Sequence, residues 1–306
     1  MEFYSDFGMS SRRLYIIGNG FDLYHGMRTS YEDFRCYIRE NCSDLSDIFL
    51  SYFNLDPDFT ELWNKFEQNL GSFESGLFYD DYNNTEPHHE NFKLSDISGF
   101  EDELWQESEN VRDKIRDAFY RWLSEVEYSK SNYMQLTLDT NSKYLTFNYT
   151  DTLERLYGIP DKNILHLHNA IESSSGDLIF GHNIKIEEEP EFDEYGEHNH
   201  HPYSRAENAS KLLLNEFYKD TTAIIEANFN FFNELKGINE IYVLGHSIND
   251  IDLPYFGHIM KIVGYNVKWI VSYYRDDECE EMNNKLKSVG VIGKITFIKM
   301  ESLVLF

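Results

Sequence analysis

The stretch IIGNGFDLYHGMRTSYEDF, residues 16–34, decides the fold of this chain. An apolar run leads into two glycines, which is typical of a buried strand followed by a turn. Thr29 and Ser30 stand three residues before Glu32 and Asp33, and these two overlapping capping boxes predict the start of a helix. The predicted unit is therefore a strand, a glycine loop and a helix.

The GNG sequence at residues 18–20 leaves two interpretations open. Two glycines let backbone N–H groups approach a phosphate closely, and a helix N-terminus favours anions. A dinucleotide fingerprint, however, has a third glycine where this chain has Leu23. The alternative is a tight turn without a ligand, and Asp22 would oppose a pyrophosphate unless it binds hydroxyl groups or a water.

The composition indicates a packed protein with a strongly negative surface. The 306 residues include 41% hydrophobic and 16% aromatic ones, and the formal charge is −27. This charge disfavours nucleic acid and anionic membranes as partners, whereas a small anionic ligand needs only a few local donors. The chain starts without a signal-peptide pattern and has no apolar run near the ~20 residues that span a bilayer. Its three cysteines lack metal spacing, and we expect a cytoplasmic protein.

The second half of the chain alternates between strand and helix patterns. Helical patterns occupy residues 212–235 and 253–263 and the segment between Asp277 and Gly290. Such alternation predicts parallel β-α-β units, hence an α/β fold with a doubly wound, mostly parallel, Rossmann-like sheet. Besides the first strand, the predicted strands are KYLTFNY, NILHLHN, DLIFGHN, EIYVLGH, NVKWIVSYY and KITFIKM.

We predict one α/β domain over residues 1–306 with two additions. A helical insertion is expected at about 45–140, with apolar stripes at 62–70 and 104–126 around a long loop at 71–102. An acidic loop insertion is expected at about 185–208, because its charge run is typical of a solvated surface. Its HNHH tract would bind a metal only adventitiously.

Polar clusters follow four of the predicted strands. In a parallel sheet the carboxyl ends of the strands meet at one edge, where α/β proteins bind their ligands. We therefore predict a ligand site at this edge. The clusters are GNGFD, residues 18–22; NYTD, residues 148–151; His168 with Asn169; and GHSINDID, residues 245–252.

Two residues of the NYTD cluster have competing interpretations. Asn148 can both donate and accept hydrogen bonds, so it suits a ligand amide or a water, although a helix cap is the alternative. Asp151 stands three residues before Glu154 at the start of a helical pattern, where a cap is the commoner role. We favour a ligand contact for Asn148 and a cap for Asp151.

Strand alternation would place His166 and His168 on one face, but no third metal ligand with a recognisable spacing follows. We expect no metal. His168 lies nearer the strand end and is the candidate for acid/base work or a ribose contact.

Ser247 could cap a helix or contact a ligand. A nucleophile elbow would need a glycine in place of Asn249, which excludes a hydrolase triad.

The chain resembles the bacterial abortive-infection AbiH family over about residues 13–274. That family is in turn distantly similar to sirtuin-like NAD-binding proteins, which include deacylases and antiphage effectors that cleave NAD. The sirtuin serine falls on Asp22, and a four-cysteine zinc module is missing from the sequence. The matching segments are IIGNGFDLYHGMRTSYEDF, LWNKFEQNL, TFNYTDTLERLY, LHLHNA, IFGHN and YVLGHSINDIDLPYF.

The resemblance implies an antiphage effector that hydrolyses the nicotinamide-ribose bond of NAD, its suspected substrate. Asn148, His168 and Asp22 would then be catalytic. The implied partners are a small nucleotide and a phage-derived trigger or partner protein, and a homo-oligomer is an open possibility. The residues expected to contact the nucleotide are Gly18, Asn19, Gly20, Phe21, His25, Thr146, Asp151, Gly245, His246, Ser247 and Asp252.

Two other classes of function stay open at this point. One is a module that binds a nucleotide or a phage component without turning it over. The other is an acidic interaction protein that mimics nucleic acid and whose polar clusters merely cap helices.

Overall fold

The computed structural model describes residues 12–305, apart from residues 57, 86–89, 91–92, 129–134, 173, 175, 187–194 and 196–202. Most of the predicted acidic loop, including its HNHH tract, lies outside the described residues. Within the described part, none of the helices combines the length and the apolar character that crossing a bilayer requires.

The described residues form six strands and fourteen α-helices, with two 3-10 helices at Asp161–Asn163 and Met300–Leu305. The strands are β1 (Arg13–Ile17), β2 (Lys143–Thr146), β3 (Ile164–His166), β4 (Glu240–Leu244), β5 (Lys268–Ser272) and β6 (Ile295–Ile298). The helices are α1 (Asn19–Tyr24), α2 (Tyr31–Asn41), α3 (Ser43–Tyr52), α4 (Thr60–Trp63), α5 (Phe66–Leu70), α6 (Ser75–Tyr82), α7 (Leu94–Ser124), α8 (Thr152–Tyr157), α9 (Ser204–Ser210), α10 (Leu212–Glu216), α11 (Thr221–Ala227), α12 (Phe229–Glu234), α13 (Leu253–Val263) and α14 (Glu278–Ser288).

The chain divides into two compact units. The sheet unit takes in Met1–Thr29, Val126–Asp177 and Thr221–Phe306, as far as these are described. The helical unit takes in Ser30–Glu125 and Leu178–Asp220. Of the helical insertion that we predicted at about 45–140, the part up to residue 125 lies in the helical unit and the rest lies in the sheet unit.

All six strands of the sheet unit are parallel and lie in the order β3-β2-β1-β4-β5-β6. This arrangement confirms the predicted α/β fold with a Rossmann-like sheet. The direction of strand addition reverses between β1 and β4. Ligands of open parallel sheets bind beyond the carboxyl ends of the strands at such a reversal.

Residues of β1 alternate between the two faces of the sheet. Leu14 and Ile16 belong to an apolar cluster on one side, the Leu14 face, which also contains Phe256 of α13. On the other side, the Tyr15 face, Tyr15 packs in a cluster with Phe21 of α1. Helices therefore cover both faces, which explains why β1 is a continuous apolar run rather than an alternating one.

The loops after β1 and β4 pack directly against each other. The N–H of Gly18 donates to Leu244 O at 3.0 Å, and that of Gly20 donates to Gly245 O at 2.7 Å. A Cβ atom at Gly20 would lie 2.8 Å from the same oxygen, and one at Gly245 would lie 2.1 Å from the backbone nitrogen of Phe21. The two loops can approach this closely only because both carry glycine.

The helical unit has an aromatic core. The ring of Phe34 lies edge-on to those of Phe66 and Phe119, each with its centroid 5.2 Å away. Its helix α2 starts as predicted, because Ser30 and Asp33 form a reciprocal capping box. The second predicted box is wrong, since the hydroxyl of Thr29 donates to the side chain of Asn19 instead.

A buried ion pair links three segments of the helical unit. The carboxylate of Glu67 accepts hydrogen bonds from the Lys219 ammonium and from the Tyr31 hydroxyl. The Lys219 side chain is only 1% exposed. Because its Glu67 partner is also largely buried, each charge depends on the other for compensation.

Three local predictions were wrong. The expected loop at 71–102 contains α6 and the start of α7, because the buried ring of Phe78 packs on Tyr52. DLIFGHN makes only an isolated bridge between His182 and Tyr218, and its backbone pairs with the turn after α10. That pairing also separates α10 from α11, and the helix predicted over 212–235 is divided into α10, α11 and α12.

Replacing Gly245 by alanine should destabilise the protein more than the same change at Gly158. Both glycines have a left-handed φ, 64° and 65°, but at Gly158 a Cβ atom would meet none of the described residues within 4 Å. Gly158→Ala should cost about 1–2 kcal/mol for the backbone conformation alone. Gly245→Ala should add about 1–3 kcal/mol of overpacking, measured by urea unfolding. Equal losses would show that the contact between the loops is not a constraint.

Replacing Lys219 by methionine should lower the free energy of unfolding by about 3–5 kcal/mol, because the Glu67 carboxylate stays buried without its counter-charge. Adding Glu67→Gln should restore part of this loss, since the amide is neutral and still accepts from Tyr31. Arg121→Met is the control, because its pair with Asp117 is about 70% exposed on both sides and contributes about 0–1 kcal/mol. A double variant as unstable as Lys219→Met alone would contradict this account.

Candidate functional site

Asp22 is a fully buried carboxylate held by two hydroxyl groups. It lies on α1 after β1, and the segment after β2 supplies the donors: Thr150 Oγ1 donates at 2.5 Å and Thr152 Oγ1 at 2.7 Å. Burial raises the pKa of Asp22 to about 6, against the opposing effect of these two hydrogen bonds and of the nearby Asn148 amide. A carboxyl group with this pKa can exchange a proton near neutral pH.

Asn148 carries a buried amide group that lies near the Asp22 carboxyl group but, among the described residues, forms no hydrogen bond of normal geometry. Its side chain follows β2 and the residue is 5% exposed. In the part of the chain that the structure describes, neither Oδ1 nor Nδ2 has a hydrogen-bond partner. An unsatisfied buried amide costs about 1–3 kcal/mol, and most buried polar groups avoid that cost. Such a group beside Asp22 is the strongest indication of a ligand contact in the structure.

Phe147 lies between two buried histidines on the Leu14 face. Its ring centroid is 5.4 Å from that of His168 and 4.3 Å from that of His246. His246 Nδ1 accepts from the N–H of Ile248 at 2.8 Å, so the proton of the neutral ring is on Nε2. That nitrogen is 3.5 Å from Asp252 Oδ2, which makes His246 and Asp252 an oriented pair.

Two residues at this edge hold a backbone conformation that side chains disfavour. Asn169 has a φ of 62° and Ile248 has a φ of 53°. For the β-branched Ile248 a left-handed backbone is strained by about 1–2 kcal/mol. Strain of this kind is common in functional loops, where the surrounding packing holds the chain in place.

The catalytic residues predicted from sequence fall into two groups. Asp22 and Asn148 lie together with Thr150 and Thr152, whereas His168 packs against Phe147 on the Leu14 face. The groups meet at the consecutive residues Phe147 and Asn148. The structure thus brings the ends of β1, β2, β3 and β4 to one edge, as the parallel sheet predicted.

Asn19 and His25 have internal partners. The Asn19 amide donates to Thr29 O at 2.8 Å and accepts from the Thr29 hydroxyl at 2.7 Å. His25 Nδ1 donates to Phe21 O at 2.6 Å, and its Nε2 accepts from the Tyr157 hydroxyl at 2.7 Å. Burial lowers the pKa of His25, which favours this neutral form. Both side chains brace the loop around α1, and their contacts to a nucleotide stay predictions.

The GNG loop has little free hydrogen-bonding capacity for a phosphate. The N–H groups of Gly18, Gly20 and Phe21 all donate to backbone carbonyls. Its glycines are explained by the contact with Gly245, whose own N–H donates to the Ser272 hydroxyl at 2.8 Å. The tight-turn interpretation therefore has a complete physical basis in this structure.

The cap predicted at Asp151 is wrong, and the cap considered as an alternative for Ser247 is not formed. Asp151 occupies the N-cap position of α8, but its side chain makes no capping bond, and its Oδ2 accepts from the N–H of Glu172 at 3.3 Å. Ser247 is exposed and lies well before α13, whose N-cap residue is Asp252. The hydroxyl of Thr146, another predicted contact, accepts from the N–H of Asn148 at 3.1 Å.

His166 and His168 do not share a strand face. The strand β3 ends at His166, so His168 lies in the following turn. His166 Nε2 is 2.6 Å from Glu154 Oε1. One ligand atom each from His166, Glu154 and Asp151 lies within 4.8 Å of the others, a spacing that could hold a metal ion. The sequence analysis missed this cluster, although Asp151 and Glu154 have the i, i+3 spacing of one helix face.

Replacing Asp22 by asparagine should change how stability depends on pH. The folded pKa of about 6 is above the unfolded value. Ionisation of Asp22 therefore does not lower the free energy of unfolding below about pH 4, and its destabilising effect is complete above about pH 6. Between pH 5 and 7 the wild type should lose about 1 kcal/mol of unfolding free energy that the variant keeps.

Urea unfolding at the two pH values measures this difference, with Asp161→Asn as the control because Asp161 is exposed. The control should follow the wild type. A wild-type pH slope in Asp22→Asn would show that another group titrates.

Comparison with known proteins gives one match. The sequence profile described as bacteriophage abortive infection AbiH matches residues 14–273, which is most of the chain. No curated protein and no solved structure matches. The predicted family is confirmed: the chain belongs to the bacteriophage abortive infection AbiH family, and its role lies in abortive infection.

Proposed function

We propose that this chain acts in abortive infection by hydrolysing the nicotinamide-ribose bond of NAD. The observation that supports this most is the unpartnered buried amide of Asn148 beside the Asp22 carboxyl group. Both lie at the carboxyl ends of parallel strands next to the reversal of strand order, where such sheets bind nucleotides.

The reaction needs a held ribose, a positioned water and a proton acceptor. Breaking the bond builds positive charge on the ribose, as in other glycoside hydrolyses. The oxygen of water bonds to C1′ of the ribose, nicotinamide leaves as a neutral molecule with the bonding electrons, and one proton of the water is released. Asp22, ionised at neutral pH because its pKa is about 6, accepts that proton.

The neighbours of Asp22 have defined roles in this scheme. Asn148 can donate to a ribose hydroxyl with Nδ2 and accept from the attacking water with Oδ1, two atoms without a hydrogen-bond partner in the described part of the chain. Thr150 and Thr152 hold the carboxylate in place and keep its pKa from rising further. His168, buried after β3, contacts a ribose hydroxyl on the Leu14 face.

We assign no phosphate contact to the N–H groups of Gly18 and Gly20, because these already donate to protein carbonyls. The adenosine side is assigned to the loop after β4, where Ser247 is exposed. The proposed NAD site therefore rests mainly on the nicotinamide-ribose side, where buried polar groups are concentrated.

Nicotinamide release tests the proposal. Purified protein, alone and with lysate from phage-infected cells, is incubated with NAD, and nicotinamide is followed by chromatography. Asn148→Ala should reduce release at least about 100-fold, the effect of removing a polar contact to a transition state. Asn163→Ala is the matched control, because Asn163 is an asparagine of the sheet unit whose amide donates to Thr140 O. This variant should keep wild-type activity.

Thermal unfolding of Asn148→Ala shows whether the fold survives. Full activity of a folded Asn148→Ala protein would contradict the assignment. Stoichiometric NAD binding with no nicotinamide release under either condition would favour a sensor that binds without turnover.

A further inference from the structure

We infer that Asp151, Glu154 and His166 form a binding site for one divalent metal ion. The three residues each place a ligand atom within 4.8 Å of the other two. Two carboxylates and one imidazole are a common mixture of ligands for such ions. We had expected no metal from the sequence.

The cluster contains buried polar atoms that protein partners do not satisfy. The side chains of His166 and Glu154 are 9% and 15% exposed. Among the residues that the structure describes, His166 Nδ1 and Glu154 Oε2 have no hydrogen-bond partner. Glu154 Oε1 and His166 Nε2 are already 2.6 Å apart, so both side chains converge on one point. A cation bound to the Glu154 carboxylate would satisfy its Oε2, which is otherwise costly to bury.

Glu154 and His166 lie in regular secondary structure, and Asp151 directly precedes a helix. Asp151 is the N-cap residue of α8 and Glu154 lies in the first turn of that helix. His166 is the last residue of β3, and its Cα pairs with that of Thr146 in the neighbouring strand. A site on rigid elements needs little rearrangement to bind an ion, and its ligands come from two sides.

The local charge balance also favours a cation. Asp22, which interacts electrostatically with His166, adds a third carboxyl group to Asp151 and Glu154. The nearby guanidinium of Arg155 is paired with Glu172 and lies over the ring of Tyr128 at 4.5 Å. A divalent ion would offset this concentration of negative charge.

The ligand set points to Mn²⁺ as the ion to test. Carboxylates suit Mg²⁺, Ca²⁺ and Mn²⁺, whereas imidazole favours transition metals, and Mn²⁺ accepts both. Three protein ligands leave coordination positions for water or for an oxygen of a bound molecule.

Mn²⁺ binding to the full chain tests the site directly. The protein carries His198→Ala, His200→Ala and His201→Ala to remove the histidines of the HNHH tract, and EDTA treatment removes bound metal. Titration with Mn²⁺, followed by electron paramagnetic resonance of the free ion, should show one site per chain. Glu154→Gln and Asp151→Asn should each weaken binding at least about 10-fold. Glu172→Gln, which changes an adjacent acid outside the cluster, should bind like the parent.

Circular dichroism without metal checks that each variant folds. Absence of a stoichiometric Mn²⁺ site in the parent protein would overturn the inference. The inference would also be overturned if folded Glu154→Gln and Asp151→Asn bound Mn²⁺ as tightly as the Glu172→Gln control.

The metal measurement needs no NAD, so it is independent of the proposed hydrolysis. Mn²⁺ binding without nicotinamide release would leave the metal site standing and remove the proposed function. Nicotinamide release by a parent protein that binds no Mn²⁺ would support the proposed function and remove the metal site.

Discussion

The contact between the glycine loops after β1 and β4 is the constraint on which the sheet unit depends. Gly20 donates to the carbonyl of Gly245, and a Cβ atom on either glycine would overlap the opposite backbone. This contact lies where the strand order reverses. This contact fixes the direction of α1 after β1, and it therefore fixes the position of the Asp22 side chain. The polar edge of the sheet is built around this position.

Burial then gives Asp22 its chemistry. Its carboxyl group is fully buried, and the hydroxyls of Thr150 and Thr152, the Asn148 amide and the charge of His166 oppose the resulting rise in pKa. The same edge holds an unsatisfied amide and a strained backbone at Ile248. A sequence optimised for stability alone would avoid these features, so their concentration at one edge indicates a site that function maintains.

The helical unit shows a different use of buried charge. Tyr31, Glu67 and Lys219 come from segments far apart in the chain, and two of them lie in motifs that resemble the AbiH family. Their side chains satisfy one another, with Lys219 almost fully buried. This differs from the sheet edge, where the Asn148 amide has no hydrogen-bond partner among the described residues. A motif can therefore mark a packing requirement as well as a ligand contact.

The sequence by itself determined the parallel sheet, because an apolar run followed by a glycine or a helix start is a local pattern. It also placed the polar clusters at the strand ends. It did not show that Gly18 and Gly20 face Gly245, that Thr150 and Thr152 hold Asp22, or that His166 meets Glu154. Only the tertiary structure decided these contacts. They join side chains from different strands, and their burial and pairing depend on strand order, which no local pattern encodes.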